Sequence, residues 1–146
     1  MDSTLRRAAV LALGELGRSG EAGDRADAGR GLAGFAEMDE AVGPLLALVL
    51  DRENTFVTRA TAEALLRRQD RSGLRVVASA LAIADPNHGD WIRTAVLDAF
   101  AVYADERDDA MRICEELAGE PDERVASGAR ELRTSLAGIT CVLHPA

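Results

Sequence analysis

The sequence predicts an all-α fold, an α-solenoid of about four antiparallel helix pairs. Apolar residues recur at the three-and-four spacing of a helix face, and no segment alternates as a strand would. Apolar residues make up 47% of the chain and aromatics only 3%. The core must therefore come from Ala, Leu and Val, small side chains that let helices approach closely. One apolar register also returns along the chain, starting at positions 5, 57, 92 and 125, at intervals of 52, 35 and 33 residues. The last two intervals suit paired-helix repeats, and the first suits a similar unit carrying a long insertion.

The clearest copy is the stretch Val57–Leu66. With Val57 as position zero, Ala60 and Thr61 follow at +3 and +4, and Ala64 and Leu65 at +7 and +8. The same face is written by Leu5, Ala8, Ala12 and Leu13, by Ile92, Ala95, Ala99 and Phe100, and by Val125, Gly128 and Leu132. Between these segments lie the apolar stretches Val42–Leu50, Leu74–Leu81 and Ala110–Leu117. Each supplies the first helix of a pair whose second helix carries the register.

In chain order, the first helix is expected from Thr4 to Leu16, capped by Asp2 or Ser3 and stopped at Gly17. Val10 and Leu11 fall away from the face carrying Leu5, Ala8 and Ala12. A helix apolar nearly all round wants cover on both sides. The insertion, about residues 19–37, is the cover at hand. Its five glycines make it a weak helix over Asp24–Ala36, with Leu32 and Phe35 turned inward, or else a loop. Met38–Leu50 follows, then the turn Asp51–Asn54 and the helix Thr55–Arg68. Asp70–Gly73 turns the chain into Leu74–Ile83. Ala84–Asp90 reads as a longer connection before Trp91–Ala104. Arg107–Ala118 ends at Gly119 and Pro121, and Asp122 caps a last helix to Leu136. The tail, residues 138–146, is apolar around Ile139–Leu143 and is expected to fold over the open end.

This pattern resembles HEAT repeats, most closely the short bacterial type. The residues that carry the likeness are Leu5-Arg6-Arg7-Ala8-Ala9 with Ala12–Gly17, Asp51 through Val57, Asp85-Pro86 ahead of Ile92-Arg93, and Glu120-Pro121-Asp122 ahead of Val125. The resemblance implies one domain over residues 1–146, stacked as right-handed antiparallel pairs with the second helices lining a concave face. Arg6 and Arg93 follow position zero as the family pattern asks, but Thr58 and Ala126 stand there in the other copies. A continuous Asp–Arg ladder through the stack therefore does not follow from the sequence.

Seventeen basic residues, all Arg, face 25 acidic ones, for a net charge of −8. Such a chain repels phosphate backbones, which argues against nucleic acid and favours a basic protein or peptide partner. Cys114 and Cys141 make no disulfide framework. The longest apolar run, Ala41–Leu50, is too short to span a membrane, and no signal pattern opens the chain, so a cytoplasmic protein is expected.

No motif declares a reaction. The loop Asp85–Asp90 fails as a calcium site because Val96 stands where the bidentate Glu belongs. His88 and His144, the only histidines, would make a metal pair only if the tail folded back. Neither a Gly-rich phosphate loop nor a nucleophile elbow is present. One constellation survives alignment of the copies. Position +6 holds Glu63, Asp98 and Glu131, and position −1, two helical turns earlier, holds Phe56, Trp91 and Arg124.

On the concave face that the resemblance implies, three acids one repeat apart with two aromatics beside them suit a chain bearing Arg or Lys. The bland alternative is a solvated stripe with aromatics sealing the joints between repeats. Phe56, Arg59, Glu63, Trp91, Asp98 and Glu131 form the candidate partner-binding set. The resulting expectation is a non-enzymatic protein- or peptide-binding module that needs no cofactor or metal, with a homodimer through the ends as a further possibility. Two alternatives come from HEAT-like relatives: a bilin lyase or chromophore handler, and a DNA glycosylase, which the charge disfavours.

Overall fold

The computed structural model describes residues 2–145 and shows eight helices. They are α1 (Ser3–Leu16), α2 (Ala22–Ala33), α3 (Asp39–Val49), α4 (Thr55–Leu66), α5 (Arg71–Ile83), α6 (Pro86–Phe100), α7 (Ala104–Leu117) and α8 (Glu123–Ala137). Among the described residues the only β-type pairing is one parallel bridge between Tyr103 and Leu143. The chain is all-α.

Most helices start where a short polar side chain can satisfy a free amide. Asp2 accepts from Leu5 N at 2.9 Å, Asn54 from Phe56 N at 2.9 Å and Asp70 from Gly73 N at 2.9 Å. Asp85 does the same for His88 N at 2.8 Å, with Pro86 in the first turn, where its missing N–H is harmless. That cap moves the start of α6 from the expected Trp91 back to Pro86: the Asp85–Asp90 loop is mostly helix. At the other end of α4, Gln69 takes a left-handed conformation, φ 57°, and releases the chain into α5.

Helices α1, α3, α5 and α7 touch in succession, and so do α2, α4 and α6. Two expectations change here. The helix packed along α4 on its N-terminal side is α2, not α1, so the glycine-rich segment does what the register had assigned to Leu5–Leu13. Its glycines allow this: a Cβ at Gly29 would stand 2.0 Å from Thr61 Oγ1, and only a bare backbone fits that crossing. The inward face of α1 also differs. Val10 is buried, while Leu5, Ala8 and Ala12 are exposed.

The last helix departs from the succession as well. Helix α8 lies mainly along α5 and α7 and meets α6 only lightly. Gly128 decides this, because a Cβ there would stand 1.7 Å from the Ala78 carbonyl oxygen, so the backbones of α8 and α5 touch directly. Leu65, Phe100 and Leu132 are fully buried as the register predicts, while Ala64 and Ala99 are only partly so. The tail does clip onto the structure. Val142 N donates to Ala101 O at 3.0 Å, Leu143 N to Val102 O at 2.7 Å, and Ala104 N to Leu143 O at 2.9 Å. Ile139 and Cys141 are buried beneath it, but Val142 and Leu143 stay exposed.

Candidate functional site

The candidate stripe runs across α4, α6 and α8, and each of its acids is engaged by an arginine. Arg59 on α4 reaches Asp98 on α6, with Nε and Nη2 at 3.1 and 2.5 Å from Oδ2. Arg93 on α6 reaches Glu131 on α8 at 2.8 Å. Glu63 is held within its own helix by Arg67 at 2.8 Å, and Arg67 also leans toward the Asp98 carbonyl at 3.5 Å. The result is a two-rung ladder from α4 to α8. Thr58 stands where the repeat pattern wants an arginine, and Arg59, one residue later, supplies the lower rung.

The flanking aromatics differ from one another. Phe56 is 51% exposed, with the Arg30 guanidinium of α2 over its ring at 5.6 Å. Trp91 is half-buried and Arg124 exposed. Beside the upper rung, where α8 has swung toward α5, a shallow hollow of about 290 Å³ opens between α6 and α8, with Arg93, Val96, Leu97, Ser135 and Ile139 among its lining residues. Leu97 lies 52% exposed at this hollow.

A second polar cluster joins α2, the α3–α4 turn and α6. Arg25 and Asp51 are both buried, at 7% and 8% exposure. Arg25 Nε donates to Asp51 Oδ2 at 2.7 Å and Nη2 to Oδ1 at 3.3 Å, while Nη1 donates to the Ser19 carbonyl at 3.0 Å. Asp51 Oδ1 also accepts from Glu53 N and Asn54 N at 3.0 and 2.9 Å. Burial works to raise the Asp51 carboxyl, but the Arg25 hydrogen bond and the two turn amides outweigh it and hold it below the ordinary aspartate value.

From the other side His88 closes the cluster. Its Nε2 lies 2.6 Å from the Asp51 carbonyl oxygen and its Nδ1 2.9 Å from the Asp85 carboxylate. Both neighbours are acceptors, so the ring is best satisfied as the doubly protonated imidazolium. The bond to the Asp51 carbonyl raises its pKa, burial opposes, and Asp85 adds to the rise. Both ring nitrogens are therefore engaged within the cluster. Among the described residues no group of three metal-ligating side chains comes together.

The thiols are structural. Cys114 is buried, which pushes its pKa up to about 12, and Cys141 Sγ donates to the Phe100 carbonyl at 3.2 Å. Sequence reasoning placed Asp51 in a turn but did not see Arg25 as its partner. It weighed His88 only as a metal ligand. The signal available was the Asp-x-x-His spacing, which sets a histidine over its own cap residue.

No helix of the described residues is long and apolar enough to cross a membrane. No protein-family model, curated protein or solved structure matches the chain.

Proposed function

We propose that the chain is a HEAT-like helical-repeat module, a right-handed α-solenoid of four antiparallel pairs, that binds a cationic protein segment without catalysing a reaction. The α1–α3–α5–α7 and α2–α4–α6 successions support the architecture, with α1 and α2 forming the first pair. The observation that carries the binding reading is the line of Glu63, Asp98 and Glu131 across α4, α6 and α8, ending beside the hollow at Leu97.

Binding there is an exchange. An incoming Arg or Lys takes over a carboxylate and releases Arg59, Arg67 or Arg93 to water. Those side chains are 43–55% exposed, so each resident pair is worth no more than about 1 kcal/mol and yields readily. Exchange conserves ion pairs, so the gain per position is small. Affinity then depends on several positions acting together, on an apolar side chain seated at Leu97, and on the field of a chain with net charge −8.

Trp91 is the only tryptophan and serves as reporter. Titration with an arginine-rich peptide is expected to change its fluorescence, and to do so less as salt is added. Changing Glu63 and Glu131 to Gln and Asp98 to Asn should weaken binding tenfold or more, as expected for about 1.4 kcal/mol lost over three contacts. A triple variant that binds the peptide like the parent, with the same salt dependence, would show the ladder to be structural only.

A further inference from the structure

Among the described residues, helix α1 carries three of the exposed leucines. It packs mainly on α2 and α3, and on its outer side Leu5 is 58%, Leu11 70% and Leu16 37% exposed, with Ala8 and Ala12 exposed between them. Between α1 and α3 runs a groove of about 380 Å³. Val10 and Leu11 line one wall, and Pro44 and Ala47 the other. Gly14 and Gly43 face into it from the two helices, and a Cβ on either would meet nothing within 4 Å. The groove thus has room for a backbone to come close, as a helix laid in a groove requires.

Its charges point to the occupant. Among the described residues Arg7 has no ion-pair partner, and neither do Asp39 and Glu40, the acids of the first turn of α3; the 21 ion pairs engage other residues. Glu40 lines the groove. Pro44 has no amide proton, so the Glu40 carbonyl also lacks its usual helical donor. Helices α1 and α3 run parallel: Arg6 pairs with Glu37 at one end, and Gly17 meets Leu48 at the other. Both contacts share one offset, so position 7 on α1 lies within about 3 Å along the axis of Asp39 and Glu40.

We infer that the groove is filled by α1 of a second copy of this chain, in a symmetric dimer whose twofold axis runs along α1. A second α1 lying parallel in the groove buries its Leu11 against Val10, Pro44 and Ala47. It also brings its Arg7 to Asp39 and Glu40. The twofold repeats both contacts, so each unpaired cation meets an unpaired acid twice over. The dimer leaves the α4–α6–α8 ladder free and does not depend on its binding a ligand.

Light scattering and sedimentation over a range of concentrations test the inference on the intact chain. The expected species has twice the 15.5 kDa mass of the protomer. Leu11→Glu should convert it to a monomer with unchanged helical circular dichroism, because Leu11 faces solvent within the protomer. Arg7→Glu and Glu40→Arg should each weaken association about tenfold, and the two together should restore it. Should Leu11→Glu disturb the fold, the charge exchange decides by itself, since both of its positions are exposed. A wild-type chain that stays monomeric at every concentration leaves the groove to some other chain and overturns the inference. So does a dimer that Leu11→Glu leaves intact, or a charge exchange that fails to restore association.

Discussion

Two arginine–aspartate pairs, both near α4, behave as different objects. Arg25–Asp51 ties α2 to the α3–α4 turn with both side chains under 10% exposed, and each has further partners for its remaining polar atoms. Arg59–Asp98 ties α4 to α6 with comparable distances, but its side chains are 43% and 32% exposed. Water competes for every bond in the second pair and for few in the first. The buried pair is costly to break, because removing one partner strands a desolvated charge. The exposed pair is nearly neutral, because water offers each group a substitute partner. Distance alone does not separate a buried joint from an exchangeable surface pair. Burial does.

The largest expected effect breaks the joint. Asp51→Ala leaves the Arg25 charge and two turn amides without their acceptor and should destabilise the fold by about 3–5 kcal/mol, read from urea unfolding. Asp51→Asn keeps an acceptor for the turn amides but still leaves the Arg25 charge unpaired, so the gap between the two variants measures what the turn contributes. Equal losses from the two variants would mean that the charge, not the turn, dominates.

Next comes the histidine on the same joint. Folding raises the His88 pKa, so its stabilisation is complete below the unfolded value of 6.5 and disappears as pH rises through the folded value. The unfolding free energy of the parent should therefore decline above pH 6.5, a slope that His88→Gln should abolish. On the acid side the sign reverses. The Asp51 carboxyl is held below its ordinary 3.8, so its contribution is present above that value and is lost as pH falls through the folded one. A parent whose stability is flat between neutral and mildly alkaline pH would detach His88 from the joint.

The smallest effect is on the ladder. Arg59→Gln or Asp98→Asn should lower stability by no more than about 1 kcal/mol. The difference should disappear near 1 M salt, where the screening length falls to about 3 Å. Loss at the ladder as large as at Asp51, or persistence in high salt, would erase the contrast between the two pairs.

Much of this molecule was legible in the sequence, and where it was not the reason is specific. Seven of the eight helices, the caps at Asp2 and Asp122, and the burial of Leu65, Phe100 and Leu132 follow from local rules, since caps and periodicity act within a few residues. The same rules misread α1. Leu5, Ala8 and Ala12 write the repeated apolar face, yet they face solvent, because periodicity marks a face without saying what will cover it. They also undervalued α2, whose glycines are poor for an isolated helix but necessary where Gly29 meets Thr61.

The stripe of Glu63, Asp98 and Glu131 was visible as a spacing; that Asp98 and Glu131 are each engaged by an arginine of another helix was not, because Arg59 and Arg93 reach across 39 and 38 residues of sequence. The swing of α8 onto α5 at Gly128, the Arg25–Asp51–His88 joint and the open α1–α3 groove belong wholly to tertiary structure. Each depends on which residues far apart in the chain come within a few ångströms, and on how much water the packing leaves between them.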